Sequence, residues 1–249
     1  MKTCKLLLQL VFALIVSAAF SFGAGGPKST GRSLQKGTGT GPFSTLVNIN
    51  NISMWISYDG QSARDPSTGN SGVTFPRGSG TAIFADGLIW GGLVRDGGSQ
   101  ILRSNGQTYQ SGMVGGAIVS KGVAENPGDQ SVRIFRIRRD WATADLRQDA
   151  AELLEKPLKD VTDGDIAQVR DQYGTDWAEW PVEKGAPFYD RDGDGHYTPP
   201  TDPNTGKVVY DPTKDEPGIA DADQVIWFVM NDLNAAQSQS FLEIGRAHV

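Results

Sequence analysis

The stretch Tyr189-Asp190-Arg191-Asp192-Gly193-Asp194-Gly195-His196-Tyr197 carries the sharpest chemistry in the chain. Three aspartates stand at alternate positions and a glycine follows the third, which is the front half of a calcium-binding loop. Calcium is a hard cation that gathers about six to eight oxygens. In the loop template, positions 1, 3 and 5 supply side-chain oxygens, here Asp190, Asp192 and Asp194. Gly195 takes the glycine position of the sharp turn, and His196 takes the next, which offers its backbone carbonyl rather than its imidazole. Carboxylates crowded into one turn disfavour each other unless a cation or protons relieve them. The competing reading is a solvated acidic turn with no ion. The expected ligand set is Asp190, Asp192, Asp194 and His196, with Ca²⁺ as the ion. Magnesium suits the site less, because it keeps several waters and takes few protein ligands.

The back half of the template is missing. Its last position calls for a bidentate acid, and Thr201 stands there. Asp202 comes one residue late, and Asp215, Glu216, Asp221 and Asp223 are further candidates for a distal ligand. Pro187 before the loop and Pro199-Pro200 after it exclude long flanking helices. The expectation is therefore a stand-alone loop over 189–202, not a paired-helix sensor, with an affinity of about 10⁻⁴–10⁻³ M as in extracellular modules.

Other chemistries have thinner footing. Asp176 and Glu179 lie beside Trp177 and Trp180 and could form the carboxylate pair that a glycoside hydrolase sets across a sugar. Against that stands the commoner role of such tryptophans in a core and of such acids on a surface. Gly69-Asn70-Ser71-Gly72 and Gly78-Ser79-Gly80 offer serines without a convincing base, since the histidines are His196, within the acidic loop, and His248. The single cysteine, Cys4, is N-terminal, so the rest of the chain has neither a disulfide nor a thiol nucleophile.

The elements that must hold the loop begin after a leader. Met1-Lys2-Thr3-Cys4-Lys5 is basic, an apolar run follows to Phe20, and small residues come next, the order of a secretory signal peptide over 1–23. The run of about 15 residues is short for a membrane span, which needs about 20. Residues 24–44, rich in Gly, Ser, Thr and Lys, read as a flexible leader. At the other end, Glu243-Ile244-Gly245-Arg246-Ala247-His248-Val249 resembles a sequencing adapter translated in frame, so residues 243–249 read as an artefact and the chain as truncated near Leu242. Without both ends, Lys+Arg falls from 23 to 20 and Asp+Glu from 29 to 28, for a net charge of 20 − 28 = −8. No basic face is evident, and no nucleic-acid partner is expected.

About 220 residues remain, enough for a real core. Leu46 to Tyr58 alternates apolar and polar for much of its length and reads as one long strand. Ala82–Val94 reads as a hairpin turning at Asp86-Gly87, and Asn105-Gly106 as a further turn. Ser131–Arg139 alternates with its arginines on one face, read as a solvated strand face rather than a polyanion site. A helical insertion over 143–174 follows, with one helix stopped by Pro157 and a second, capped by Thr162, running from Ile166 to Tyr173 and ended by Gly174. Gln224–Met230 reads as a buried strand. The fold class is mainly β, a β-sandwich-like domain over 45–242 with a short two-helix insertion.

Several spaced stretches resemble secreted bacterial surface proteins exported by the type IX route. They are Asn50-Asn51-Ile52-Ser53-Met54-Trp55, Gly69-Asn70-Ser71-Gly72, Trp180-Pro181 with Gly185-Ala186-Pro187, the acidic loop, and Asp223–Val229. The resemblance implies β-sandwich modules and a C-terminal sorting domain, which the expected truncation near Leu242 would have removed. Arg191–Gly195 is also similar to dockerin-type loops, without the duplicated partner repeat. The functional expectation is a secreted, calcium-stabilised cell-surface or adhesion-type structural protein without catalysis. The alternative is a carbohydrate-binding module or a carboxylate-based glycoside hydrolase, with an extracellular glycan as partner.

Overall fold

The computed structural model describes residues 43–233, apart from 96, 99 and 109–111. The expected signal peptide, most of the expected leader and the adapter-like end lie outside the described residues.

The expected long strand from Leu46 is two strands. β1 (Ser44–Val47) and β2 (Ser53–Ser57) pair antiparallel, with Val47 opposite Met54. Asparagines turn the chain between them. Asn50 Oδ1 accepts the Ile52 N–H at 2.8 Å, the side-chain mimicry of a turn that disfavours a continuous ladder. Asn48 is fully buried and its N–H donates to the Gln224 side-chain oxygen at 2.9 Å. The alternation survives on each strand, so Leu46 and Trp55, cross-strand partners, both reach the core.

β2 also pairs with β3 (Gln61–Ser62) and β4 (Val73–Thr74), β4 with β5 (Thr81–Ile83), and β3 with β6 (Asp86–Gly87), completing a six-stranded sheet. Asp86-Gly87 is thus a strand edge, not a turn. β7 (Ile89–Val94) pairs antiparallel with β8 (Ile101–Gly106), Val94 opposite Ile101, so Asn105-Gly106 lies in a strand. Neither glycine has positive φ. A Cβ on Gly87 would collide with the Gln107 carbonyl, and one on Gly106 would sit 2.5 Å from the Leu88 carbonyl oxygen. Close backbone approach, not turn geometry, demands glycine at both places.

β9 (Val114–Gly115), β10 (Ile118–Ser120), β11 (Val123–Ala124), β12 (Phe135–Arg138), β13 (Phe188–Tyr189), β14 (Glu216–Pro217), β15 (Gln224–Trp227) and β16 (Met230–Asn231) follow. They pair antiparallel, β9 with β16, β10 with β11, β12 with β15, and β13 with β14. The fold is mainly β with a two-helix insertion between β12 and β13. Among the described residues no helix is long and apolar enough to cross a membrane.

The short helix, Arg147–Leu153, is followed by a 3₁₀ turn at Leu158–Asp160 and the long helix, Asp163–Ala178. Thr162 and Asp165 form a reciprocal capping box, which starts the long helix three residues earlier than Ile166. The helix also continues through Gly174. There a Cβ would meet Trp141 Cη2 at 3.3 Å, so the glycine clears room for an indole rather than ending the helix. The helix buries Val169, Tyr173 and, past Gly174, Trp177 on one face, where they pack with Phe135, Ile137, Trp141 and Leu146.

The arginine face of 131–139 is not solvated, which corrects the sequence expectation. Arg136 is 4 % exposed, its Nη2 donating to Asp149 at 2.6 Å and to Asn48 at 3.0 Å. Asp149, buried on the short helix, also accepts the Tyr173 hydroxyl at 2.6 Å and faces Arg77 and Arg138 at 3.4 and 3.6 Å. Arg77 binds Glu152 at 2.6 Å, and Glu152 accepts from Asn48 at 2.9 Å. Arginine is the cation best suited to such burial, because its planar fork meets several acceptors at once. This network ties the insertion to β1, β2 and β12.

Candidate metal centre

The acidic loop joins two paired strands. β13 sets Tyr189 opposite Glu216 of β14, so Asp190 follows one strand and Asp215 precedes the other. Asp215 is 1 % exposed and closes the loop: one oxygen accepts the Arg191 N–H at 3.0 Å, the other the Thr198 N–H at 2.8 Å. The loop exit is fixed by Tyr197, whose hydroxyl donates to the Trp177 carbonyl at 2.6 Å. That carbonyl is among the last of the long helix, whose terminal carbonyls have no partner within the helix. The Tyr197 ring meets Phe188 edge-on at 5.6 Å between centroids. Trp180 Nε1 donates to the Pro187 carbonyl at 2.7 Å and holds the approach to β13.

Inside this frame the backbone winds around Asp190. Its two oxygens accept the N–H groups of Gly193 at 2.6 Å and Gly195 at 2.8 Å. Both glycines are left-handed, at φ 76° and 77°, a conformation that a side chain disfavours. The Gly195 N–H, with help from Gly193, holds the Asp190 carboxyl below the usual carboxylate range. Asp192 accepts the Asp194 N–H at 3.3 Å, and Asp194 accepts the His196 N–H at 2.7 Å.

The result is that Asp190, Asp192 and Asp194 each offer a carboxylate oxygen within 4.8 Å of the others. Asp190 is partly covered, and Asp192 and Asp194 are exposed. No lysine or arginine pairs with any of the three among the described residues. The loop's own cation, Arg191, lies over the Tyr189 ring at 4.6 Å and binds Glu216 at 2.6 Å. The turn therefore gathers three charges and neutralises none of them with a side chain.

No family model, curated protein or solved structure matches this chain.

The other sequence candidates are distributed as follows. His196 is exposed, at the position where its carbonyl would serve. Asp202 caps its own turn, accepting the N–H groups of Asn204 at 2.7 Å and Thr205 at 3.0 Å. Glu216 is engaged by Arg191 and Arg139, and Asp221 by Arg139. None of these distal acids joins the three-carboxylate group. Asp215 acts on the loop through its backbone instead. Its position 25 residues beyond Asp190 is meaningful only once β13 and β14 pair, a two-residue ribbon with no periodic signal of its own.

Asp176 and Glu179 share one guanidinium: Arg133 Nη1 binds Asp176, and Nη2 binds Glu179 at 3.1 Å. Asp176 is 3 % exposed, and burial pushes its carboxyl up despite Arg133. Trp177 and Trp180 are each 2 % exposed in the core, so neither offers a face on which a sugar ring could stack.

Proposed function

We propose that this is a secreted, calcium-stabilised surface or adhesion-type structural protein, in which the loop over 189–202 holds Ca²⁺. The observation that carries the reading is the gathering of the Asp190, Asp192 and Asp194 oxygens within 4.8 Å with no cationic side chain among the described residues to offset them. The donor set fits a hard cation, since all three are carboxylates. The His196 carbonyl is the fourth protein ligand of the proposal, and water would complete the oxygen shell. Bound Ca²⁺ supplies charge that the loop lacks and has no role in a reaction. Asp190 then does two things at once, organising the Gly193 and Gly195 amides with the same carboxylate that faces the ion.

The consequence is mechanical. Neutralising the loop fixes the excursion between β13 and β14, whose Asp215 clasp and Tyr197 anchor tie it to the core. The signal-like order of residues 1–23 supports the same reading, because extracellular calcium is abundant enough for a loop with few protein ligands. The experiment is a calcium titration of the secreted chain by calorimetry, beside Asp190→Asn and Asp192→Asn. One saturable site, lost in both variants, is the expected result. No heat beyond dilution would remove the calcium from the proposal.

A further inference from the structure

We propose that β7 pairs edge to edge with β7 of a second copy of this chain, antiparallel about a two-fold axis at Gly91. β7 and β8 form a two-stranded sheet of their own, and among the described residues β7 pairs with no other strand. Such a ribbon is marginal in water unless further strands or a covering element join it. This one is open on both faces. Ile89, Leu93 and Leu102, the cross-strand partner of Leu93, are 62, 55 and 67 % exposed on one face, and Trp90 is 38 % exposed on the other. The β7 edge also lacks the usual protection: Ile89–Val94 holds no charge, no proline and no bulge, the devices that keep exposed edges apart. The edges of β5 and β6 are only three and two residues long. On β8 the Gly106 carbonyl already accepts the Gly112 N–H at 3.0 Å.

The backbone fixes which residues can meet. The Gln107 N–H donates to the Leu88 carbonyl at 2.9 Å, one step before the first ladder pair, Ile89 opposite Gly106. Opposed residues in an antiparallel ladder alternate between exchanging hydrogen bonds and exchanging none. Carried through the unbroken register, that phase turns the backbone groups of Trp90 and Gly92 toward β8 and those of Ile89, Gly91 and Leu93 outward. Outward groups pair only with outward groups, so a two-fold axis passes through one of these three residues. Placing it at Gly91 alone engages all three.

That register is self-complementary. Ile89 lies opposite Leu93 of the second copy, an apolar pair that the symmetry repeats, and Trp90 lies opposite Gly92. Gly92 has no explanation within its own chain: its φ is not left-handed, and a Cβ there would meet nothing within 4 Å. A glycine inside a strand weakens it and marks a place where another group comes close, here the Trp90 indole of the second copy. A strand from an unrelated protein could use the same edge, but it gives no reason for Ile89 and Leu93 to stand symmetrically about Gly91. The area sets the strength. An edge of six residues is about 20 Å long. It covers well under the roughly 800 Å² per partner of a standard interface, so the dimer dissociates at roughly 10–100 µM.

The test is sedimentation equilibrium of the full chain in calcium, from about 1 to about 500 µM, where a reversible monomer–dimer equilibrium is expected. Ile89→Lys alters a side chain that is already exposed and sets a charge opposite Leu93. It is expected to weaken association at least about tenfold with the melting temperature unchanged. The register is read by air oxidation in a Cys4→Ser background. Gly91→Cys is expected to form a covalent dimer, because opposed hydrogen-bonded residues have Cα atoms about 5.5 Å apart, within the reach of a disulfide. Gly92→Cys is not, because its counterpart is a diagonal neighbour about 7–8 Å away. Should Ile89→Lys fail to fold, the two cysteine variants decide. A monomer at the highest concentration, unchanged association in Ile89→Lys, or equal cross-linking at 91 and 92 would each overturn the interface. None of these outcomes involves the loop over 189–202, so failure here leaves the calcium reading intact.

Discussion

Asp215 holds the Arg191 N–H at 3.0 Å across 24 residues of sequence, and with its other oxygen it holds Thr198 on the far side of the acidic loop. One buried carboxylate thus spans the whole acidic turn without belonging to it. Removing it in Asp215→Ala strands two backbone donors and is expected to destabilise the chain by about 2–3 kcal/mol, measured by urea unfolding. The same variant is expected to weaken calcium binding, because the turn would no longer be pre-formed. Wild-type stability in Asp215→Ala would show that water replaces the clasp.

The network at Asp149 makes a second prediction. Asp149 is fully buried and faces three guanidiniums and the Tyr173 hydroxyl. Asp149→Ala leaves Arg136 buried without its nearest carboxylate, a change expected to cost about 3–5 kcal/mol in denaturant unfolding. The loss is expected to be far larger than that of Asp140→Ala, because Asp140 is half exposed and its pair with Arg138 is screened.

The capping box predicts a pH dependence. Lys156, then the Thr162 N–H and hydroxyl, hold the Asp165 carboxyl down at about 2, from an ordinary 3.8. A depressed carboxyl contributes stability that is present above its unfolded value and lost as pH falls through its folded value. Melting temperature is therefore expected to fall between about pH 4 and pH 2 more steeply in the wild-type chain than in Asp165→Asn. Thr162→Ala removes the cap itself and is expected to cost about 1 kcal/mol at neutral pH.

The parts of the fold legible in sequence are those with local physics. The Asp190–Gly195 spacing, the Thr162 cap and the alternation of Leu46 and Trp55 each declare themselves within a few residues. Asp86-Gly87 and Asn105-Gly106 misled because a glycine needed for close strand approach looks the same as one needed for a turn. Gly174 misled for a related reason, since Trp141, which it accommodates, lies 33 residues earlier. Arg133 and Arg136 looked solvated because their carboxylate partners come from the helical insertion, and only the packed fold brings Asp176 and Asp149 to them. Asp215 was visible as an acid near the loop, but its work through backbone amides was not.

The central claim is that the three loop carboxylates are neutralised by calcium. The direct measurement is the melting temperature of the full chain in 10 mM Ca²⁺ against excess chelator, beside the triple variant Asp190→Asn, Asp192→Asn, Asp194→Asn. With a dissociation constant near ~10⁻⁴ M, calcium at about one hundred times that value adds about 2.7 kcal/mol. For a domain of this size that is a rise of about 5–10 °C, absent in the triple variant. Identical melting with and without calcium in the wild-type chain would contradict the account and leave the turn a solvated acidic loop.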